Sequence, residues 1–361
     1  MSTIRPLERD DLAEVADLYE IRRSGARVAP TGMADHLGRL FLDAPTYDPE
    51  LPSLVATDGD GRVNGFLGAC TVPMVLDGER IRTVVTGPLF TRPESSGVAV
   101  FLLRRLLSGP QAMTFADRGN QDSERLLMRL GARVVHPRYM WWTVAVRPVT
   151  RRALLLARGP AKAVIGPVAR MLAGAVDGHA RLGWLQAPVA QDVAEEPLTP
   201  SLMAATIERV AARARVRPWY DEPSLAWRLE HLRQARMMGV LHARALRDAA
   251  GTVLGWYVMW IRTYGTALVV QMVASEGAEC LVVQRAVAAA HANGAVVVQG
   301  RLEPEFRLAL RRLPCTYVHR YSLLVATRDD RVRHAFESDR ALLTVLDGEL
   351  WTSETFGRST R

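Results

Sequence analysis

A long-range repeat constrains this chain more than any other feature. GRVNGFLGACTVP, starting at Gly61, and GTVLGWYVMWIRTY, starting at Gly251, both read as β-strands, and Gly251 and Gly255 each follow Gly61 and Gly65 by 190 positions. A pattern returning once at that distance implies duplication of a whole domain. The 361 residues, 48% of them hydrophobic, are enough for two cores of ordinary size. Gly277, at a helix start, follows Gly97 by only 180 positions, so the second copy lacks ten residues, about the length of the Val75 to Val84 connection.

The element order follows from periodicity. Residues 3–18 read as a short strand and then a helix, with Asp10 or Asp11 capping the apolar series Leu12, Val15 and Leu18. A second helical pattern runs from Met33 to Leu42. Strand-rich runs follow, broken by Asp58-Gly59, Asp60-Gly61 and Asp77-Gly78, which are tight-turn signals. Next come a helix over Gly97 to Leu107, a buried strand AMTFAD, a helix DSERLLMRLG stopped at Gly131, and strands through YMWWTVAV. The second half repeats this series from GTVLGWYVMWIRTY to TYVHRYSLLVAT. The expected fold class is α/β, an α+β mixed sheet covered on both faces, formed twice. The expected domains are 1–148 and 199–361, joined by a helical linker over 149–198.

In that linker, Arg151, Arg158, Lys162 and Arg170 set a basic stripe on one helical face, while Gly159-Pro160 and Gly166-Pro167 interrupt it. A segment packed between domains fits these breaks better than peripheral membrane contact through 151–172, and the segment is too charged to span a bilayer. The net charge is +8, yet 45 of the 46 basic residues are arginines scattered along the chain, which reads as a solvated surface and not as a nucleic-acid face. MSTIRPLERDD has no apolar core behind basic residues, so a cytoplasmic protein is expected. Cys70, Cys280 and Cys315 lie far apart, without a histidine at ligand spacing, so neither a disulfide framework nor a metal site is expected.

Three segments, IRPLERDD, VVTGPLFTRPESSGVAVFLL and NQDSERLLMRLGARVV, resemble the GNAT acyltransferase superfamily. The resemblance covers residues 3 to about 147 closely and about 200 to 327 more loosely. It implies two GNAT-like domains in tandem and acetyl-CoA, or another acyl-CoA, as cosubstrate. It also implies a pantetheine arm paired with the strand carrying Leu89 and Thr91, and a pyrophosphate on the helix start at Ser95, Ser96, Gly97, Val98, Ala99 and Val100. Free backbone N–H groups, the positive end of a helix and small side chains suit that anion, as does the basic net charge. The chain departs from the family pattern at Ser96, where an arginine is usual, and at Ala99 and Phe101, where glycines are usual. It departs again at Leu127 and Leu310, which occupy the place of the tyrosine that protonates the leaving thiolate. In the second copy the helix start reads Ser275, Glu276, Gly277, Ala278, Glu279, and its two carboxylates would repel a pyrophosphate. The coenzyme site is therefore expected in the first domain.

On the acceptor side, Asp117 and Asn120 follow the buried strand and precede a helix, where they either act on the acceptor or shape the turn and cap the helix. Gly300 and Glu303 stand at the corresponding places of the copy. His136, His319, Tyr139 and Tyr317 suit structural roles, and Trp219, Tyr220 and Trp227 suit either a core or a substrate cleft. LDGELW, at Leu346 to Trp351, reads as a turn and strand with no assigned role. The expected activity is acyl-CoA-dependent N-acyl transfer to a small amine or amino sugar. The alternatives are a catalytically inactive GNAT-like binding module and an aminoacyl-tRNA-dependent transferase of the peptidoglycan-bridge type.

Overall fold

The computed structural model describes residues 2–26, 28–95, 97–156, 173, 176–177 and 192–349. Ser96, Arg158, Lys162, Arg170, both Gly-Pro breaks and Trp351 lie outside these residues. The first strand, β1 (Thr3–Pro6), leads to α1 (Leu12–Ser24). Asp11 secures the entry, accepting the Glu8 N–H at 2.9 Å and both Arg5 guanidinium bonds at 2.7 Å. Gly25, at φ +79°, ends the helix in the left-handed conformation that glycine adopts without strain. Then follow α2 (Met33–Phe41), β2 (Leu54–Thr57), β3 (Val63–Thr71), and the hairpin β4 (Met74–Leu76) and β5 (Glu79–Ile81). Asp77 and Gly78 both have positive φ at the hairpin tip, as the turn signal predicts. After β6 (Thr83–Thr91) come α3 (Val98–Leu107), β7 (Met113–Ala116), α4 (Gln121–Arg129), β8 (Arg133–Val134), β9 (Met140–Ala145) and α5 (Pro148–Leu156).

The second half contributes β10 (Ala194–Pro197), α6 (Pro200–Val210), β11 (Val216–Pro218), α7 (Glu222–Gln234), β12 (Val240–Arg247), β13 (Val253–Ile261) and β14 (Thr266–Ala274). It continues with α8 (Glu279–Ala292), β15 (Val297–Arg301), α9 (Arg307–Leu310), β16 (Thr316–His319), β17 (Leu324–Thr327) and α10 (Asp330–Glu337). Strands β13 and β14 are joined by a short turn, whereas the β4–β5 hairpin intervenes between their counterparts β3 and β6. That hairpin accounts for most of the length missing from the second copy.

Two seven-stranded mixed sheets result, ordered β1-β2-β3-β6-β7-β17-β8 and β10-β12-β13-β14-β15-β9-β16. In each, one pair is parallel and is bridged by a helix, β6–β7 by α3 and β14–β15 by α8. A three-stranded sheet, β11-β4-β5, completes the first unit. The units interleave the sequence: one comprises Met1–His136, Ala214–His231 and Tyr321–Arg361, the other Pro137–Arg213 and Leu232–Arg320. This division departs from boundaries at 148 and 198, because β9 from the first half lies between β15 and β16, and β17 from the second half lies between β7 and β8. Pairing supplies the reason. Both strands are apolar runs, and each satisfies its backbone groups on both sides in the sheet that receives it.

The first unit has cores on both faces of its sheet. One is built on Leu67, Val84, Leu102, Leu106 and Leu127, the other on Met74, Leu76, Phe115, Val325 and Phe336. The second unit's core gathers Trp142, Tyr257, Met272, Val282, Phe306 and Leu310.

Candidate active site

The first unit's site begins where β6 leaves β7. Their parallel register holds over Thr83–Val85 against Met113–Phe115, after which β7 stops at Ala116 and β6 runs on to Thr91. A register shift against β3 occurs at the same level: Leu67 faces Leu89 and Ala69 faces Thr86, leaving Gly87 and Pro88 opposite Gly68. Such a bulge bends its strand away from its neighbour, and Pro88 has no N–H to restore the ladder. The glycines follow from packing, since a Cβ on Gly68 would stand 2.8 Å from the Phe41 ring.

The parted strands enclose a cavity of about 220 Å³. Its walls are Leu67, Thr86, Gly87, Leu89 and Phe90 on one side, and Ala116, Arg118, Asn120, Ser123 and Leu127 on the other, with Leu103 and Glu349. Leu89 is thus at the cavity and Thr91 at the end of the same strand, and both are half-buried. Beyond Thr91, a single turn over Pro93–Ser95 leads to α3, whose first turn carries Val98, Ala99 and Val100. No side chain caps that helix. Gly97 has helical φ −63°, and a Cβ there would meet nothing within 4 Å. Neither backbone conformation nor packing within the protein therefore requires glycine at 97.

Asn120 and Asp117 have separate duties. Asn120 lies on the cavity wall and caps α4, its side-chain oxygen accepting the Ser123 N–H at 2.9 Å. Asp117 is buried, and its Oδ1 accepts the backbone N–H of Glu349 at 2.8 Å. Leu127 occupies the cavity wall as an apolar group.

Glu349 gives the LDGELW segment a structural context. Residues 341–349 are buried throughout. In this segment Asp347 accepts the Thr344 N–H at 2.9 Å, the Thr344 hydroxyl at 2.7 Å and the Tyr220 hydroxyl at 2.7 Å. Arg228 lies 3.6 Å from the same carboxylate and donates to the Leu346 carbonyl at 3.4 Å. Gly348 packs directly on Asp117, where any Cβ would overlap the carboxylate. Burial, reinforced by the charge of Asp117 and opposed by that of Arg118, raises the Glu349 carboxyl well above the ordinary range. Burial likewise pushes the Cys70 thiol up to about 12, with Arg228 opposing and Glu349 reinforcing the shift. Sequence reasoning missed Glu349. The one legible trace was the spacing of Thr344 and Asp347, a capping-box pattern that marks the turn but not its destination.

The remaining candidates lie elsewhere. Tyr139 and His319 meet edge to face at 5.2 Å within the second unit, and Tyr317 sits on the exposed strand β16. His136 is exposed in the first unit. Trp219 lies beneath the Arg80 guanidinium at 3.7 Å, and Trp227 packs against His231 with the rings tilted and their centroids 4.2 Å apart.

In the second unit, β14 and β15 part in the same way after Leu268 and Gln299, and β14 carries a register shift against β13. There the outer half of β14 is buried from Val269 to Ala274. Trp142 packs against Gly300, whose added Cβ would stand 3.0 Å from the indole, and Met272, Phe306 and Leu310 belong to the same core. The helix start differs too. Gly277 has φ +85°, and Glu276 and Glu279 pair with Arg213. Glu303 is buried between Arg138 and Arg301, each at 2.9 Å. Among the described residues, no group of three or more His, Cys, Asp or Glu side chains is placed to hold a metal, and no helix is long and apolar enough to cross a membrane.

No family model matches the sequence, and no curated protein does. Among solved structures, a GCN5-related N-acetyltransferase from Anabaena variabilis ATCC 29413 is similar with a TM-score of 0.59 at 10% identity, over 91% of this chain and 74% of that one. A conserved protein of unknown function from Enterococcus faecalis V583, described as a probable N-acyltransferase, gives 0.58 at 10% identity, over 91% and 72% of the two chains. A GCN5-related N-acetyltransferase from Kribbella flavida gives 0.55 at 15% identity, again over 91% and 72%. The chain thus has the fold of the GCN5-related N-acetyltransferases, with two such sheets in tandem.

Proposed function

We propose that the first unit binds an acyl-CoA and transfers its acyl group to a small amine, an amino sugar being one such acceptor. One observation carries the reading: the outer half of β6 is reachable from solvent and has no β7 partner beyond Val85, directly before an uncapped helix start at Gly97. A pantetheine arm needs exposed strand backbone, and Leu89 and Thr91 offer it. A pyrophosphate needs free amide N–H groups at the positive end of a helix with no side chain in the way, and Gly97, Val98 and Ala99 suit that need, flanked by Ser95 and Val100, whose own N–H groups donate to the Arg92 and Gly97 carbonyls at 2.9 and 3.3 Å. Ser96, which belongs to the same proposed loop, lies outside the described residues. That nothing inside the protein demands glycine at 97 is what a position reserved for ligand approach would leave.

Calorimetric titration with acetyl-CoA tests this reading. One molecule bound per chain with a micromolar dissociation constant is expected. Absence of binding would favour an inactive module, and tight RNA binding in its place would favour the aminoacyl-tRNA-dependent reaction.

A further inference from the structure

Transfer to an amine requires a group that takes a proton from the acceptor ammonium, because only the neutral amine attacks a thioester. Thr86 and Ser123 are hydroxyls, Asn120 is occupied as a helix cap, and Arg118 is a cation. Glu349 is the one carboxylate among the described residues lining the cavity. It lines the same cavity as Thr86 and Ala116, which lie where β6 and β7 part. Its backbone is held on the amino-terminal side, by the Asp117 bond to its N–H and by the preceding Asp347 turn that Tyr220 and Arg228 secure. Such anchoring fixes a side chain's reach before substrate arrives.

We infer that Glu349 is the catalytic base of this acyl transfer and that Asp117 is its positioning residue. The inference rests on the acyl-CoA reading of the cavity. The proton balance is as follows. The ammonium gives one proton to the Glu349 carboxylate, and the resulting amine attacks the thioester carbonyl. The C–N bond forms and the C–S bond breaks, a second nitrogen proton goes to the departing thiolate, and the third stays on the amide. Glu349 then returns its proton to solvent. Leu127 cannot supply the thiolate's proton, so that proton comes from the acceptor nitrogen itself. The groups that bear on Glu349 are Asp117 and Arg118, at the end of β7, and Cys70 on β3, which in turn faces Arg228 on α7. A carboxylate raised by burial is a stronger base than an ordinary one and suits an ammonium better.

The test is CoA thiol release from acetyl-CoA with 1,4-diaminobutane, glucosamine and tyramine across a pH series, run beside the binding titration. The wild type should release thiol with a rate that rises with pH as Glu349 ionises. Glu349→Gln should lower the rate about 10² to 10⁴-fold and abolish that limb, with the acetyl-CoA dissociation constant unchanged. Asp117→Asn keeps an oxygen for the Glu349 N–H but removes a negative charge, so the limb should move to lower pH, a shift that a purely structural role would not produce. Glu349→Gln within about threefold of wild type, an unmoved limb in Asp117→Asn, or acetyl-CoA binding without thiol release in any arm would each overturn the assignment. Failure to bind acetyl-CoA would instead overturn the acyl-CoA reading beneath it.

Discussion

The two halves of this molecule share a parted pair of parallel strands and treat it oppositely. In the first unit, β6 changes from buried to half-buried at Gly87 and stays so to Thr91. In the second, β14 is buried from Ala267 to Ala274. The helix starts diverge in the same sense. Gly97 adopts a conformation open to any residue, whereas Gly277 holds a positive φ that favours glycine, beside two glutamates engaged by Arg213. The splayed strands are thus a property of the fold, and side chains decide whether they form a cleft or a core. Trp142, delivered on the exchanged strand β9, is the largest of the groups that fill the second.

Trp142→Ala tests the filled half and should have the largest effect on stability. Deleting a fully buried tryptophan should cost about 3 to 5 kcal/mol, read by chemical denaturation. It should create no second acetyl-CoA site, because Glu276 and Glu279 still face the helix start. A stoichiometry of two in the variant would show that packing alone separates the halves.

A smaller effect is expected from Asn120→Ala in the open half. Loss of the cap on α4 should lower stability by about 1 kcal/mol while thiol release stays within a few-fold of wild type. A fall of about 10²-fold or more with unchanged melting would move Asn120 into the chemistry.

Much of each half was legible because its signals are local. The Asp77-Gly78 turn, the helix over Val98–Leu107 and the stop at Gly131 each depend on residues a few positions apart. The exchange of β9 and β17 was not legible. An apolar run announces a strand but carries no information about which of two similar sheets will take it. The candidate base was hidden for the same reason: Glu349 meets Asp117 across 232 positions, and nothing near LDGELW in sequence names that partner. Asp117 itself stood out from its place after a buried strand, but its bond to the Glu349 backbone emerges only from the fold.

The claim that the first half is the open one is tested most directly by paired charge insertions at the two helix starts, with acetyl-CoA binding followed calorimetrically. Gly97→Glu places a carboxylate where the protein leaves open space, so the fold should survive and binding should be lost. Gly277→Glu strains a backbone at φ +85° and should lower the melting temperature while leaving acetyl-CoA bound at the wild-type stoichiometry. Binding retained by Gly97→Glu and abolished in a folded Gly277→Glu protein would place the site in the second half and contradict the account.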